Sequence, residues 1–500
     1  MIGTSFGEWV LIRFSVLFFQ YTPLVYLALF ACSLPFINEN AWASRTCVIL
    51  GLLLVIEAGF YATIYRPYQH RLKDQAVHPE VLNSNERRAL FYRCFDNITS
   101  AEAYLRGWFL GADPEDIRRD NIKEFLLWAF FEREDDQSVE EDGSAVEDLN
   151  EFIKYIETRL GRQLEPGRSA IKSLRLTLDG IETRYRSLLW YFVVFTVDVF
   201  THALLAWKGF QYHAATSQKV FPPRPQCSLS RHRSPVSDMG YWYSPHRSEH
   251  KLPLIFFHGI GIGLLVYIEY LAAILKTDAG TESGVGIIAV EMLPISFRLT
   301  RPPPSKVQFL EQMSRILDHH GWGDFAISSH SYGSVPVTHI LSSPTLQTRV
   351  RSLVLIDPVT PLLHLPDVAY NFTRRYPRRA NEWQLYYFAS TDPGVAHCLG
   401  RHFFWRENIV WREGLLGTPD MGRGGVGRKV AAILAGRDLI LRPDMIEEYL
   451  TSPGRDEAGE KIKVIVFPQL DHAQVFDSAA ERQQIVDLTR SYCSETFSDL

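Results

Sequence analysis

Cysteine and methionine are scarce in this chain, with six of each among 500 residues. The cysteines are scattered at spacings that fit no metal-binding pattern, so the sequence predicts neither a disulfide framework nor a metal site. An internal repeat, a phosphate-binding loop and a dinucleotide-binding fingerprint are also lacking. The net charge of −5 comes without any basic block, which argues against a nucleic acid partner. We therefore expect no metal, no organic cofactor and no nucleic acid in the function of this protein.

Apolar residues, by contrast, make up 46% of the chain, and they form two long runs near its amino terminus. Residues 9–36 contain Arg13 as their only charged side chain, and residues 47–65 contain only Glu57. Each run is long enough to cross about 30 Å of hydrocarbon. The sequence therefore predicts a transmembrane hairpin anchor within residues 1–73. A cleaved signal peptide would account for the first run but not for the second, and a hairpin buried in protein is the alternative.

A third apolar run covers residues 188–207 and contains Asp198 and His202. These residues are four positions apart, so they share one face of a helix. Polar side chains at such depth face protein or water rather than lipid. The sequence leaves open whether this run crosses the membrane or lies on its surface, and it predicts a multi-pass membrane protein with two or three spans.

Residues 325–334 contain the strongest chemical signal of the chain, a serine between small residues at the end of an apolar strand. The serine is Ser331, with Ser329 and Gly333 two positions before and after it. A nucleophile elbow needs small residues at these two places because its turn from strand to helix is too tight for larger side chains. Ser331 is therefore the candidate nucleophile.

Two further strand ends carry a candidate acid and a candidate base. The apolar segment 430–439 contains Asp438, and the segment 461–472 ends on His472. Nucleophile, acid and base then follow one another along the chain as Ser331, Asp438 and His472. Asp357, which follows an earlier apolar strand, is the alternative acid.

With this order of residues, the chain from 252 to 497 resembles the α/β-hydrolase superfamily, in which nucleophile, acid and base occur in the same order. The resemblance implies a mainly parallel sheet with helices on both faces and a cap inserted between two of its strands. It also implies an oxyanion hole built from two backbone N–H groups. By position the donors are Ile260, which follows the motif residues His258 and Gly259, and Tyr332, which follows the nucleophile.

The predicted organisation follows from these features. After the anchor come a helical region at 74–187, the third apolar helix at 188–207 and a linker at 208–250. The α/β-hydrolase domain occupies 251–500, with its cap at about 361–428. Residues 85–94, 103–111 and 117–131 make the region before the third helix similar to the amino-terminal part of fungal membrane-associated α/β-hydrolase proteins.

The sequence thus indicates a membrane-anchored serine hydrolase that cleaves an ester or related acyl bond of a small-molecule or lipid substrate. Three alternatives stay open. An acyltransferase would use the same three residues, as would a tailoring enzyme of fungal secondary metabolism, and a non-catalytic scaffold would keep only the fold.

Overall fold

The computed structural model describes residues 2–38, 40–133, 142–216, 219–276, 280, 283–417, 427–452 and 462–494. Within these ranges one sheet of nine strands has the order β11-β10-β9-β8-β5-β6-β4-β1-β3, and β2 and β7 form a separate pair. The strands are β1 Gln211–Ala214, β2 Val220–Phe221, β3 His232–Arg233, β4 Tyr241–Ser244, β5 Leu254–Phe257, β6 Ile287–Val290, β7 Leu299–Thr300, β8 Phe325–His330, β9 Val350–Ile356, β10 Lys429–Ala435 and β11 Lys463–Phe467.

The α-helices of the described residues fall into four groups along the chain. The amino-terminal group is α1 Phe6–Ser33, α2 Ala41–Phe60, α3 Arg66–Arg71, α4 Ser84–Asp96, α5 Ala101–Trp108, α6 Arg119–Phe131, α7 Gly143–Leu160 and α8 Leu188–Trp207. The helices between the strands are α9 Pro225–Ser228, α10 Ile268–Ile274, α11 Lys306–His319 and α12 Ser334–Ser342, and the last two are α18 Pro443–Thr451 and α19 Ala479–Tyr492. The third group, between β9 and β10, is α13 Pro366–Thr373, α14 Ala380–Gln384, α15 Pro393–His402, α16 Trp405–Asn408 and α17 Arg412–Leu416.

The six strands from β11, at one edge of the sheet, to β6 are parallel to one another. Their successive side chains point to opposite faces, as the geometry of a strand requires. On β5, for example, Ile255 and Phe257 enter one apolar core with α11 and α12, whereas Leu254 and Phe256 enter a second core with α10 and α19. Strands covered on both faces read as continuous apolar runs, which is why the sequence reveals them.

The expectation of a linker at 208–250 is wrong. Three strands of this segment, β1, β3 and β4, belong to the sheet, and β4 joins it by pairing antiparallel with β6. These edge strands are only two to four residues long and lie among proline, serine and histidine residues, so no long apolar run marks them. The sheet therefore begins near residue 211, although residues 217–218 of the expected linker lie outside the described ranges.

The region 74–187 is helical only in part. Helices α4 to α7 cover it as far as Leu160, but residues 161–187 form no helix. This last stretch, which we call the strap, runs between the helices α5 and α6 on one side and the cap on the other. Its backbone bonds to both, from Leu174 N–H to Trp108 O at 2.8 Å and from Arg184 N–H to Thr391 O at 3.0 Å.

The two apolar runs near the amino terminus form the antiparallel helices α1 and α2. The described residues contain three helices long and apolar enough to cross a membrane, which include these two and α8. The first half of α1 packs on the cap, where Ile12 and Val16 are buried with Ala380 and Tyr387. The far end of the hairpin extends beyond these contacts with its apolar side chains exposed.

Helix α8 presents one face to the protein along its whole length. Tyr191, Val194 and Leu205 are fully or almost fully buried, and Asp198 forms an ion pair with Arg224 at 2.9 Å. The opposite face is apolar and exposed, with Phe200 55% and Trp207 78% accessible. The two polar residues that the sequence places on one face, Asp198 and His202, thus face protein: the ring of His202 lies 4.5 Å from that of Trp242.

Candidate active site

The turn after β8 has the backbone strain expected of a nucleophile elbow. Ser331 has φ of +52°, in the left-handed region that L-residues rarely adopt. Gly333 leaves no room for a side chain, because an added Cβ would lie 2.3 Å from the carbonyl oxygen of Phe257. Ser329, which replaces the more common glycine, is fully buried. Helix α12 begins at Ser334, so Ser331 projects from the junction of strand and helix.

Ser331, His472 and Asp438 form a continuous hydrogen-bonded chain. Ser331 Oγ lies 2.8 Å from His472 Nε2, and His472 Nδ1 lies 2.6 Å from Asp438 Oδ2. The second oxygen of Asp438 accepts hydrogen bonds from Ile440 N–H at 2.7 Å and Leu441 N–H at 3.0 Å. All three side chains are buried. The carboxylate therefore fixes the orientation of the imidazole, and the imidazole is placed to accept the serine proton.

Asp357, the alternative acid, lies beside this chain but is bonded elsewhere. Its two oxygens accept hydrogen bonds from Ala435 N–H at 2.8 Å and Ala473 N–H at 2.9 Å. These donors stand at the end of β10 and directly after His472. The structure thus gives Asp357 contacts that hold together the two loops carrying Asp438 and His472.

The environment of His472 favours its charged form. Burial lowers the pKa of the imidazole, but the charge of Asp438, its hydrogen bond and the charges of Asp357 and Asp471 outweigh burial and raise that pKa to about 9. Three carboxylates around one imidazole favour a positive charge on His472. Such a charge arises when the imidazole takes the proton of Ser331.

The loop after β5, which we call the oxyanion loop, is fixed by His258 and Tyr267. His258 Nδ1 donates to Gly259 O at 2.8 Å, and Nε2 accepts from Met292 N–H at 2.9 Å. Burial lowers the pKa of His258 to about 4, which agrees with a neutral ring in this tautomer. Gly259 N–H donates to the Tyr267 hydroxyl at 3.2 Å, and a Cβ on this glycine would lie 2.9 Å from the Cβ of Ser331.

The two backbone groups expected in an oxyanion hole are both available. Among the described residues, the N–H groups of Ile260 and Tyr332 have no hydrogen-bond acceptor within the protein. Both residues line the same small cavity as Ser331. A polar group entering this cavity next to the serine would therefore meet two free donors.

His330 extends the polar network in a way that the sequence did not reveal. Its Nδ1 lies 2.8 Å from the Tyr267 hydroxyl and its Nε2 lies 3.8 Å from Asp357 Oδ2. The ring is buried against His472, with 5.2 Å between the two centroids. His330 thus packs behind the site and links the oxyanion loop to Asp357, and its position next to the serine in sequence gave no sign of these partners.

The cavity beside Ser331 measures about 30 Å³. Its walls include Phe372, Leu399 and Phe403 of the cap, as expected for an insertion at this place, and Leu176 of the strap. A larger cavity of about 550 Å³ lies on the other side of Tyr332, between the loop after β6, α11 and α15. The contribution of Leu176, more than 150 residues before the serine, could not be found from any local pattern.

Within the described ranges, two groups of side chains come close enough to hold a metal ion. Donor atoms of Asp357, Asp438 and His472 lie within 4.8 Å of one another, as do those of a second cluster at the sheet edge, which consists of His213, His319 and His320. The first group is bonded to backbone N–H groups and to Ser331, as described above. In the second, the Tyr241 hydroxyl bonds ring nitrogens of both His213 and His320.

Comparison with known proteins agrees with this architecture. Residues 253–407 match the family model of the alpha/beta hydrolase fold. No curated protein matches the chain. With the sheet order and the helices on both faces, the match shows that the chain contains a domain of the α/β-hydrolase fold, which confirms the predicted fold class.

Several solved structures are similar to part of the chain. A carboxylesterase of the ammonia-oxidizing thaumarchaeon Nitrososphaera gargenis is 18% identical, with 52% of this chain and 96% of that chain covered and a TM-score of 0.33. A Bacillus subtilis carboxylesterase is 13% identical, with 61% and 97% covered and a TM-score of 0.34. A bacterial membrane phospholipase A, described as a virulence factor, is also 13% identical, with 61% and 92% covered and a TM-score of 0.36.

Proposed function

We propose that this protein is a membrane-anchored serine hydrolase that cleaves a carboxylic ester through an acyl-enzyme. The observation that carries the proposal is the chain of two hydrogen bonds from Ser331 through His472 to Asp438, which starts at a strained elbow. A serine hydroxyl is a weak nucleophile until an adjacent base takes its proton. The 2.8 Å contact between Ser331 and His472 provides that base.

In the first half of the reaction, Ser331 Oγ attacks the ester carbonyl carbon while His472 Nε2 takes the hydroxyl proton. The carbonyl electrons move onto oxygen, and the N–H groups of Ile260 and Tyr332 donate to the oxyanion. When the oxyanion collapses, the bond to the alcohol oxygen breaks and His472 gives its proton to that alcohol. Asp438 keeps Nδ1 protonated and stabilises the charged ring throughout.

In the second half, water attacks the acyl carbon of the ester to Ser331 and gives a proton to His472. The bond to Ser331 Oγ then breaks, the proton returns to the serine, and the carboxylic acid leaves. No cofactor takes part in this scheme, because every proton and electron pair stays with the substrate, water and the three side chains.

An active-site-directed fluorophosphonate tests the proposal on the full-length protein in detergent. We expect the wild type to be labelled covalently and Ser331→Ala to be unlabelled while it unfolds at the same temperature. Ser314→Ala is the matched control, since Ser314 lies on α11 and bonds only to the carbonyl of Leu310. Equal labelling of Ser331→Ala and wild type would contradict the assignment of the nucleophile.

The burial of the site favours a second candidate, acyl transfer. Ser331 is 6% and His472 5% exposed, and apolar side chains of the cap surround the cavity next to them. A site that excludes water lets an alcohol compete for the acyl-enzyme. The candidates separate when the products of an activated ester are measured in the presence of an added alcohol, because transfer yields a new ester and hydrolysis yields the acid.

The apolar helices support attachment of the protein to a membrane. We infer that the far end of the α1–α2 hairpin enters the bilayer, since its side chains are apolar and exposed, with Leu27 52% and Leu52 57% accessible. For α8 the surface alternative is favoured. If α8 crossed the membrane, the protein that packs along its whole inner face would also enter the hydrocarbon. The Asp198–Arg224 ion pair would then lie there, where charged groups are costly. Helix α8 therefore lies along the membrane surface.

A further inference from the structure

The strap makes a tight turn beside the cavity that the candidate nucleophile lines. The backbone N–H groups of Leu178 and Asp179 both donate to the carbonyl of Arg175, at 2.9 and 2.8 Å. The Asp179 side chain closes the turn by accepting from the Arg175 N–H at 3.0 Å. Leu176 lies within this turn and projects into the cavity that Ser331 lines.

This turn is held from two sides. From the amino-terminal helices, the indole N–H of Trp128 donates to Thr177 Oγ1 at 3.0 Å. From the cap, Arg374 forms an ion pair with Asp179 at 3.0 Å, and Arg401 donates to the Asp179 carbonyl at 3.1 Å. These hydrogen bonds and the ion pair, all within five residues, fix the position of Leu176. Its side chain is therefore a fixed part of the cavity wall.

The remaining walls of the cavity are almost entirely apolar. Ile260 and Tyr332 stand beside the serine, and Phe372, Leu399 and Phe403 of the cap complete the enclosure with Leu176. Away from the N–H groups of Ile260 and Tyr332, a charged or strongly polar group would lose its hydration here without gaining partners. The carbonyl of a substrate must sit next to Ser331 and the two free N–H groups, so the acyl chain attached to it extends along these apolar walls.

We propose that the strap and the cap together form an acyl-binding pocket, that Leu176 limits its depth, and that the substrates are esters of short, uncharged acyl groups. The proposal rests on the proposed function and adds the substrate class and a residue that sets specificity. The space beside Ser331 is small, about 30 Å³ against about 550 Å³ for the cavity on the other side of Tyr332, so it suits a short acyl group better than a long one.

The test compares esters of one alcohol with acyl groups of two, four, six and eight carbons, hydrolysed by the full-length protein in detergent. The wild type should prefer the acetyl ester. Leu176→Ala removes part of the wall and should raise the ratio of kcat/KM for hexanoyl over acetyl by roughly ten-fold or more, since one methylene in an apolar pocket changes discrimination by about 10–200-fold. Leu176→Phe should lower the same ratio.

Leu178→Ala is the matched control, because Leu178 belongs to the same turn and packs on the main core but does not line the cavity. It should leave the ratio within two-fold of the wild type. Leu176→Val gives a smaller truncation for the case in which the alanine variant unfolds, and it should shift the ratio in the same direction.

A wild type that prefers octanoyl over acetyl overturns the inference, as does a ratio that responds equally to changes at Leu176 and Leu178. Failure of the proposed function looks different. In that case the wild type cleaves none of the esters and its fluorophosphonate labelling does not depend on Ser331.

Discussion

His472 Nδ1 donates a 2.6 Å hydrogen bond to Asp438 Oδ2, and this contact favours Asp438 over Asp357 as the acid. Asp357 is close, but backbone N–H groups occupy its oxygens. A carboxylate orients an imidazole only through a bond to its ring N–H. We therefore assign orientation of the base to Asp438 and support of the surrounding loops to Asp357.

The first prediction concerns this assignment. Asp438→Asn should lower kcat by roughly 10⁴-fold, because a neutral amide permits the unproductive tautomer of the histidine. Asp357→Asn keeps an oxygen for one of the two backbone donors and should lower kcat far less. Steady-state kinetics of the two purified variants gives the comparison, once both variants are shown to unfold at the same temperature. A larger loss in Asp357→Asn would transfer the role to that residue.

The second prediction follows from the charges around His472. The base must be neutral to take the serine proton, and nearby carboxylates raise its pKa to about 9. In the free protein kcat/KM should therefore rise with pH between about 7 and 9 and level off above that range. Asp357→Asn removes one of the negative charges that raise this pKa, so its profile should be displaced to lower pH. A wild-type profile that is flat from pH 6 to pH 10 would contradict the prediction.

The third prediction concerns the space around the elbow. In Gly259→Ala the new methyl group would lie 2.7 Å from His330 Nδ1 and 2.9 Å from Ser331 Cβ, both too close for real contacts. The oxyanion loop must then move away from the nucleophile, and a loss of one oxyanion donor costs about 10²–10³ in kcat. Gly261→Ala is the control, since its methyl group meets nothing within 4 Å. Similar kinetics for both variants would show that the loop tolerates the displacement.

The parts of the site that the sequence predicts are those that lie on or directly after buried parallel strands. Ser331, Asp438 and His472 each follow an apolar run, and parallel strands bring their carboxyl ends to one edge. The structure brings these three side chains together as the order of the motifs indicates. Ile260 and Tyr332 also line the cavity, because their place depends on the same strands.

What the sequence does not reveal depends on contacts between distant segments or on short elements. The strands β1 and β4 are four residues long and pair at the sheet edge, so the expected linker proved to be part of the sheet. Leu176 reaches the cavity only because side chains from two other regions hold its turn. The partners of His330 lie on three different loops, and nothing in its local sequence specifies them.

The fourth prediction concerns the attachment of α8 to the sheet. Arg224 bonds both Asp198 on α8 and Glu291 directly after β6 at 2.8–2.9 Å; its side chain is buried, and the two carboxylates are 11% exposed. Asp198 also pairs with Arg298 at 3.1 Å, so Arg224→Met leaves Glu291 without its arginine. The substitution should lower the free energy of unfolding by about 3–5 kcal/mol. Arg301→Met is the control, since Arg301 faces Asp238 at 3.9 Å with both side chains about half exposed, and exposed pairs contribute about 0–1 kcal/mol. Denaturant unfolding in detergent measures both. Equal effects would mean that the buried network does not hold α8.

The fifth prediction concerns the hairpin. Leu27 on α1 and Leu52 on α2 are more than half exposed in the part of the hairpin that extends beyond the cap. If this part lies in the bilayer, Leu27→Arg and Leu52→Arg each place a charge in hydrocarbon, at a cost of about 2.5–3.5 kcal/mol. The wild type should stay in the membrane fraction through alkaline carbonate washing, whereas the double variant should be released in large part. Val266→Arg combined with Val307→Arg changes two exposed residues of the hydrolase domain and should not alter the distribution. Recovery of the wild type in the carbonate supernatant would instead show that the apolar hairpin is covered by protein, because a bilayer-inserted hairpin resists that treatment.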